Sequence, residues 1–237
     1  MNVYIYSEWR APSSDTVLYL PMKNDLLDHS WNNITVSNTW VTIVNWVWHF
    51  NWSAWAWWQW LRIAYWADSR LRQKPFTISL MVKFNQYPWS SWDSTPYWML
   101  TGMNIYSSWY RWWNLWMMIN SATWNKYKTR IELLPSWGST YSNTEFVTNT
   151  WYNFILVMSS TTRRLYINWQ LDSWCNWNAT LTFPDWDLFV WSNPFTSWDV
   201  SNWRWLVWDM SEYIFESKER SAQDAADYYN QIKNLYH

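Results

Sequence analysis

Phe76-Thr77-Ile78-Ser79-Leu80-Met81-Val82-Lys83-Phe84, entered from Pro75, reads as one long β-strand. Phe76, Ile78, Leu80, Val82 and Phe84 recur at every second position, and a period of two puts them on one face of a sheet. Working outward, comparable apolar runs occupy Thr16–Leu20, Val41–Val44, Trp116–Ile119, Thr129–Leu134, Tyr152–Met158, Arg164–Ile167, Leu188–Val190 and Trp205–Phe215. Clusters of Ser, Asn, Asp, Thr and Pro separate them. Many short strands with turn signals between them predict an antiparallel sandwich or barrel and argue against alternating β and α units.

The C-terminal end breaks this pattern. Ser221-Ala222-Gln223-Asp224 has the spacing of a capping box, with Ser221 as N-cap and Asp224 at the third helical position. Ala222, Ala225, Tyr229 and Ile232 follow at helical spacing, so one amphipathic helix over 221–236 is expected to pack on the sandwich. Residues 1–14, ending in Ala11-Pro12-Ser13-Ser14, read as a leader or connector, and 15–237 as one sandwich domain that includes the helix. Tyr87–Thr95, rich in Pro, Ser and Asp, reads as a long exposed loop.

Composition narrows the function classes. The formal net charge of -1 over 237 residues gives no electrostatic footprint for nucleic acid. The single cysteine, Cys175, makes no internal disulfide. The first ten residues lack the charged-then-apolar pattern of a signal peptide, and the apolar runs are strand-length, so membrane insertion is not expected. One feature is anomalous: the chain holds 30 Trp and 2 Gly, against about 17 Gly at the usual frequency. Trp stands in turn contexts that call for Gly, as in Asn168-Trp169 between two strand-like runs, Asp28-His29-Ser30-Trp31-Asn32-Asn33, Asn45-Trp46, Asn51-Trp52 and Asp185-Trp186. Two explanations are open: a stop codon that the source reads as Gly, written here as Trp, or a Trp-rich aromatic binder.

Several stretches in order resemble the laminin-G-like, concanavalin A-like jelly-roll family. Val17-Leu18-Tyr19-Leu20-Pro21 with Asp28-His29-Ser30-Trp31-Asn32 is similar to its first strand and Asp-x-Ser-Gly-Asn loop. Val47-Trp48-His49-Phe50-Asn51-Trp52-Ser53 resembles a strand ending in Phe-x-Gly, and Pro75–Lys83 the strand Phe-Thr-Ile-Ser-x-Trp-Val. Trp151–Val157 resembles Trp-x-x-Val, and Arg164-Leu165-Tyr166-Ile167-Asn168-Trp169 resembles Leu-Tyr-Val-Asn-Gly. Leu188–Ser192 and Trp203–Asp209 resemble the last strands before the closing helix. The resemblance implies a two-sheet antiparallel jelly-roll sandwich with one C-terminal α-helix. Family glycines appear here as Trp31, Trp52, Trp169, Trp191 and Trp205.

The family also hosts glucanases, which use paired carboxylates about 5 Å apart. Asp209, Glu212 and Glu216 are the nearest approach. Their spacing is expected to put Asp209 and Glu212 on opposite faces, as solvated strand-end charges. His29, His49 and His237 have no nucleophile partner in sequence, and no zinc or phosphate-loop pattern occurs. No enzyme is expected. Related jelly rolls carry calcium on loop oxygens, which nominates Asp25, Asp28, Asn32 and Asp209 as Ca²⁺ ligands; Asx-turn chemistry without metal is the alternative. Sugars present apolar ring faces and hydroxyls, so a glycan site needs an aromatic platform with amide or charged partners. Tyr97, Trp98, Tyr106, Tyr110, Arg111 and Asn114 supply that mixture.

The expectation is a non-catalytic glycan-recognition or adhesion domain that binds carbohydrate or a cell-surface glycan. Its setting would be extracellular or virion-associated, as in a phage tail fibre, or a bacterial surface. The alternative is an assembly module that contacts other virion or surface proteins.

Overall fold

The computed structural model describes residues 12–21, 25–39, 41–44, 47–50, 60–64, 66–85, 101–104, 115–123, 126–133, 140–176, 187–191 and 208–235. The strands are β1 (Thr16–Leu20), β2 (Val36–Thr39), β3 (Thr42–Val44), β4 (Val47–Phe50), β5 (Trp60–Ile63), β6 (Phe76–Phe84), β7 (Thr101–Asn104) and β8 (Leu115–Thr123). They continue with β9 (Lys126–Leu133), β10 (Thr140–Phe146), β11 (Trp151–Met158), β12 (Thr162–Ile167), β13 (Gln170–Asn176), β14 (Asp187–Trp191) and β15 (Trp208–Glu216). The α-helix α1 (Ala222–Ile232) follows. An eight-stranded sheet runs β13-β12-β11-β6-β15-β4-β3, with β1 also on β15; a four-stranded sheet runs β2-β5-β14-β7, and β8–β10 form a third. Every pairing is antiparallel. The fold is therefore the expected antiparallel β-sandwich with one C-terminal helix: the strand pattern predicts a sandwich or barrel, the capping box the helix, and the family resemblance the jelly-roll form.

Strand β6 is central to the large sheet. Its alternate residues Phe76, Ile78, Leu80, Val82 and Phe84 face inward and join Phe154 and Leu156 of β11 and Tyr213 and Phe215 of β15. Leu61 and Ile63 of β5 and Leu188 and Val190 of β14 meet them from the four-stranded sheet. Each such side chain contributes roughly 1.5–3 kcal/mol on full burial. Rings reinforce the packing: Phe76 of β6 stacks on Phe215 of the neighbouring strand β15 at 5.1 Å, and Phe146 of β10 meets Tyr152 of β11 edge-on at 4.8 Å.

The large sheet's outer face is covered too. Met81, Ile155, Val157, Tyr166, Ile214 and Tyr19 pack there against Ala225, Tyr228 and Ile232 of α1. The helix turns slightly from the expected stripe, burying Tyr228 while Tyr229 is half-exposed and Ala222 is in solvent. The approach from β15 fixes that rotation. Thr77 Oγ1 donates to Lys218 O (2.8 Å), Arg220 N donates to Thr77 Oγ1 (3.2 Å), and the fully buried Arg220 pairs with Glu216. The Arg220 guanidinium sits 4.7 Å over the Tyr228 ring, whose Oη donates to Glu212 Oε2 at 2.6 Å. Among the described residues no helix is long and apolar enough to cross a membrane.

Two local expectations are met in detail. Asn168 and Trp169 form the two-residue turn between β12 and β13, with φ of 48° and 70°, and Ile167 pairs with Gln170 across it. Ser221 and Asp224 make a reciprocal capping box: Asp224 N donates to Ser221 Oγ (3.1 Å) and Ser221 N to Asp224 Oδ2 (2.8 Å). The expected loop Tyr87–Thr95 lies outside the described residues.

The Asp224 carboxyl is held below the usual Asp range, first by the Ser221 backbone N–H and then by the Ser221 hydroxyl. A lowered folded-state pKa stabilises the fold above the unfolded value, about 3.9, and that contribution is lost as pH falls through the lowered value. Replacing Asp224 with Asn is expected to lower the melting temperature at pH 7, by the equivalent of about 1 kcal/mol. Thermal melts against pH should show the gap to the parent chain closing below about pH 3.9; a gap that stays constant into acid contradicts this role.

Candidate functional site

Across the middle of the large sheet, register aligns four side chains in one row. Trp151 of β11 pairs with Lys83 of β6, Lys83 with Asp209 of β15, and Asp209 with His49 of β4. Cross-strand neighbours on one face are close enough to interact, and these do. Lys83 Nζ lies 5.2 Å over the Trp151 ring and 2.8 Å from Asp209 Oδ2. His49 Nδ1 stands 2.6 Å from Asp209 Oδ1, at ion-pair distance but off hydrogen-bond alignment. Trp151 packs at the margin of the patch that α1 covers. Asp209 is 2% exposed, whereas Lys83 and His49 are partly open to solvent.

The row combines an indole, an ammonium, a carboxylate and an imidazole. The buried carboxylate fixes the ammonium and imidazole as a frame, and the half-buried indole adds an apolar edge. The four-stranded sheet carries a separate ion pair, Arg62 Nε to Asp187 Oδ2 at 2.5 Å.

The acidic residues of β15 differ from the sequence expectation. The register of β15 on β6 shifts between Met210 and Glu212, a β-bulge at Ser211. Asp209 then lies opposite Lys83 and Glu212 opposite Met81, two positions apart on β6 and therefore on the same face. Glu212 and Glu216 are buried rather than solvated. Tyr228 occupies Glu212 and Arg220 occupies Glu216, so each acid serves the helix contact.

The four calcium candidates each make protein contacts of their own. Asp28 Oδ1 accepts from the N–H groups of Tyr19 (2.9 Å) and Ser30 (2.8 Å), and Oδ2 accepts from Ser30 Oγ (2.7 Å) and Ile34 N (2.8 Å). That is Asx-turn chemistry, stapling the 28–34 loop to β1. Asn32 spends its amide on Thr16 O and Val17 O, both at 2.9 Å, and its oxygen on Arg70 Nη2 at 2.6 Å. Asp25 holds His29 Nε2 at 3.0 Å, and Asp209 belongs to the row on β15. Among the described residues no three His, Cys, Asp or Glu side chains cluster as metal ligands. The glycan candidates Tyr97, Trp98, Tyr106, Tyr110, Arg111 and Asn114 lie outside the described residues, in the stretches before and after β7.

No family model matches the chain, and no curated protein sequence matches it. Solved structures do. The chain is similar to a botulinum neurotoxin type C structure whose cell entry depends on interaction with two ganglioside molecules, with 13% identity and a TM-score of 0.66. That likeness covers 92% of this chain and 51% of the other. The binding domain of botulinum neurotoxin DC is similar in two complexes, each at 14% identity and covering 92% of this chain. With rat synaptotagmin II the TM-score is 0.63 over 52% of that chain; with SialylT it is 0.64 over 51%. The chain thus spans about half the length of these neighbours. At this identity the likeness establishes the β-sandwich fold, and the neighbours are binding domains.

The row makes an asymmetric stability prediction. Lys83→Met leaves the buried Asp209 carboxylate without its ammonium partner, whereas Asp209→Asn leaves Lys83 and His49 side chains that can turn to water. Lys83→Met should cost more, by about 1 kcal/mol or above, as a lower urea midpoint at unchanged slope. Equal costs would show that the ion pair carries little.

Proposed function

We propose that this chain is a non-catalytic glycan-recognition module, with the Trp151–Lys83–Asp209–His49 row as part of its contact surface. The observation that carries this reading is the row itself. An indole, an ammonium and an imidazole stand side by side at the open margin of a rigid sheet, held by one buried acid. A sugar needs an apolar face and several directional polar partners, and a preformed frame spares the entropy of assembling them. The neighbours support this reading in kind: one interacts with gangliosides and another was solved with SialylT. Kinship with the laminin-G-like family, and an extracellular or virion-borne setting, are parts of the same proposal.

The second reading is a protein-docking module, favoured by the neighbour solved with rat synaptotagmin II. In that case the sheet surface or loops would meet a polypeptide, and the aromatic residues around β7 would contribute to packing.

A glycan array followed by calorimetry distinguishes the two. Under the first reading the chain binds a defined set of glycans, and Trp151→Ala weakens binding about tenfold or more, about 1.4 kcal/mol, while the variant still melts cooperatively. Tyr110→Ala tests the loop platform in parallel. Binding that survives both substitutions removes both surfaces from consideration. Absence of any glycan binding together with a stable homotrimer would favour the docking module.

A further inference from the structure

Arg62 is anchored at one end of its guanidinium and open at the other. It lies on β5 between Leu61 and Ile63, both fully buried in the core between the sheets. Alternation along the strand therefore turns Arg62 to the outer face of the four-stranded sheet, on the side of the sandwich away from the Trp151–Lys83–Asp209–His49 row. Its Nε donates to Asp187 Oδ2 at 2.5 Å. Asp187 stands on β14, diagonal to Arg62, since Phe189 is the residue directly opposite. The Asp187 carboxylate is 11% exposed and the Arg62 side chain 40%.

The terminal nitrogens of Arg62, Nη1 and Nη2, bond nothing among the described residues. Arg70 makes the contrast. Its Nη2 donates to Asp68 Oδ2 and Asn32 Oδ1, both at 2.6 Å, and its Nη1 to Ser14 O at 3.3 Å, so its fork is spent on the protein. An ion pair as open as Arg62–Asp187 adds little to stability. What it does is fix the plane of the guanidinium through Nε and leave the Nη1–Nη2 edge, two parallel donors, facing outward. That edge matches the two oxygens of a carboxylate. Asp187 already offsets one unit of charge, which suits a singly charged carboxylate better than a doubly charged phosphate. On the other side of Arg62, register places the exposed Ser37 of β2 directly opposite it, and a serine hydroxyl both donates and accepts.

We propose that Arg62 is a second contact point of this chain, taking the carboxylate of an acidic sugar on Nη1 and Nη2. The inference rests on the glycan reading for its ligand class. It goes beyond that reading in naming a charged sugar and a different face of the sandwich.

Calorimetry with oligosaccharides that end in a hexuronic acid, each beside its methyl ester, tests this. The parent chain should bind the acid about tenfold or more tighter than the ester. In Arg62→Gln the two should bind alike. Arg62→Lys keeps a charge beside Asp187 without the planar fork, and its preference should fall between. If Arg62→Gln fails to melt cooperatively, the Lys variant decides, and an undiminished preference in it overturns the inference. Acid and ester bound equally by the parent chain, or a preference that survives Arg62→Gln, overturns the inference and leaves the glycan reading standing. Binding of no glycan at all overturns both. Inorganic sulfate that displaces the acidic sugar at equal concentration marks a general oxyanion site and overturns the assignment to a sugar.

Discussion

Strand β6 is buried on both faces, and the rest of the molecule is arranged to make that possible. Its inner face needs only apolar partners, which the second sheet supplies. The outer face is harder, because β15 beside it brings Glu212 and Glu216 out of water. A buried carboxylate is costly unless a donor meets it. Arg220 and Tyr228 meet these two, and both arrive with the terminal helix. The helix is therefore the electrostatic complement of β15 as well as its apolar lid. Where it stops, the outer face opens, and the next acid along β15, Asp209, must find its cations within the sheet.

That division explains the position of the contact row. Asp209 lies beyond the helix contacts, with Lys83 Nζ and His49 Nδ1 at ion-pair distance from the flanking strands. Because its partners are strand residues in register, the frame is as rigid as the sheet. Trp151 extends the row by one strand and ties it to the apolar patch beneath α1. The row thus lies beside the part of the surface that α1 covers, with Lys83 and His49 partly open to solvent.

Much of the fold is legible in local sequence. The alternation in β6 and β11, the Asn168–Trp169 turn and the Ser221–Asp224 box are short-range signals whose physics acts within a few residues, and each takes its expected form. Glu212 shows where this stops. Its face depends on an extra residue at Ser211, and a bulge is a property of paired strands that one strand's spacing does not carry. The contact row is less legible still: His49, Lys83, Trp151 and Asp209 are brought together by strand order alone. In sequence His49 stands out as a polar residue inside a strand, Trp151 and Lys83 as ends of family-like motifs, and Asp209 as a candidate calcium ligand, but nothing there joins them.

The strands that sequence reading passes over point to a further cause. β2, β5, β7, β10 and β13 are not marked by the apolar runs, and they lie in a chain with almost no glycine to punctuate it. Gly is the strongest local sign that one strand has ended and another begins. With Trp at turn positions, turn and strand share an apolar, β-prone appearance, and periodicity blurs where the turns should be clearest. The hairpin at Asn168–Trp169 is recognised by its Asn, which takes positive φ. Ser30 and Asn32 similarly keep the Asp28 loop readable around Trp31 through their bonds to β1. The side chains that bond these turns are the ones local sequence marks, and the Trp beside each of them carries no such signal.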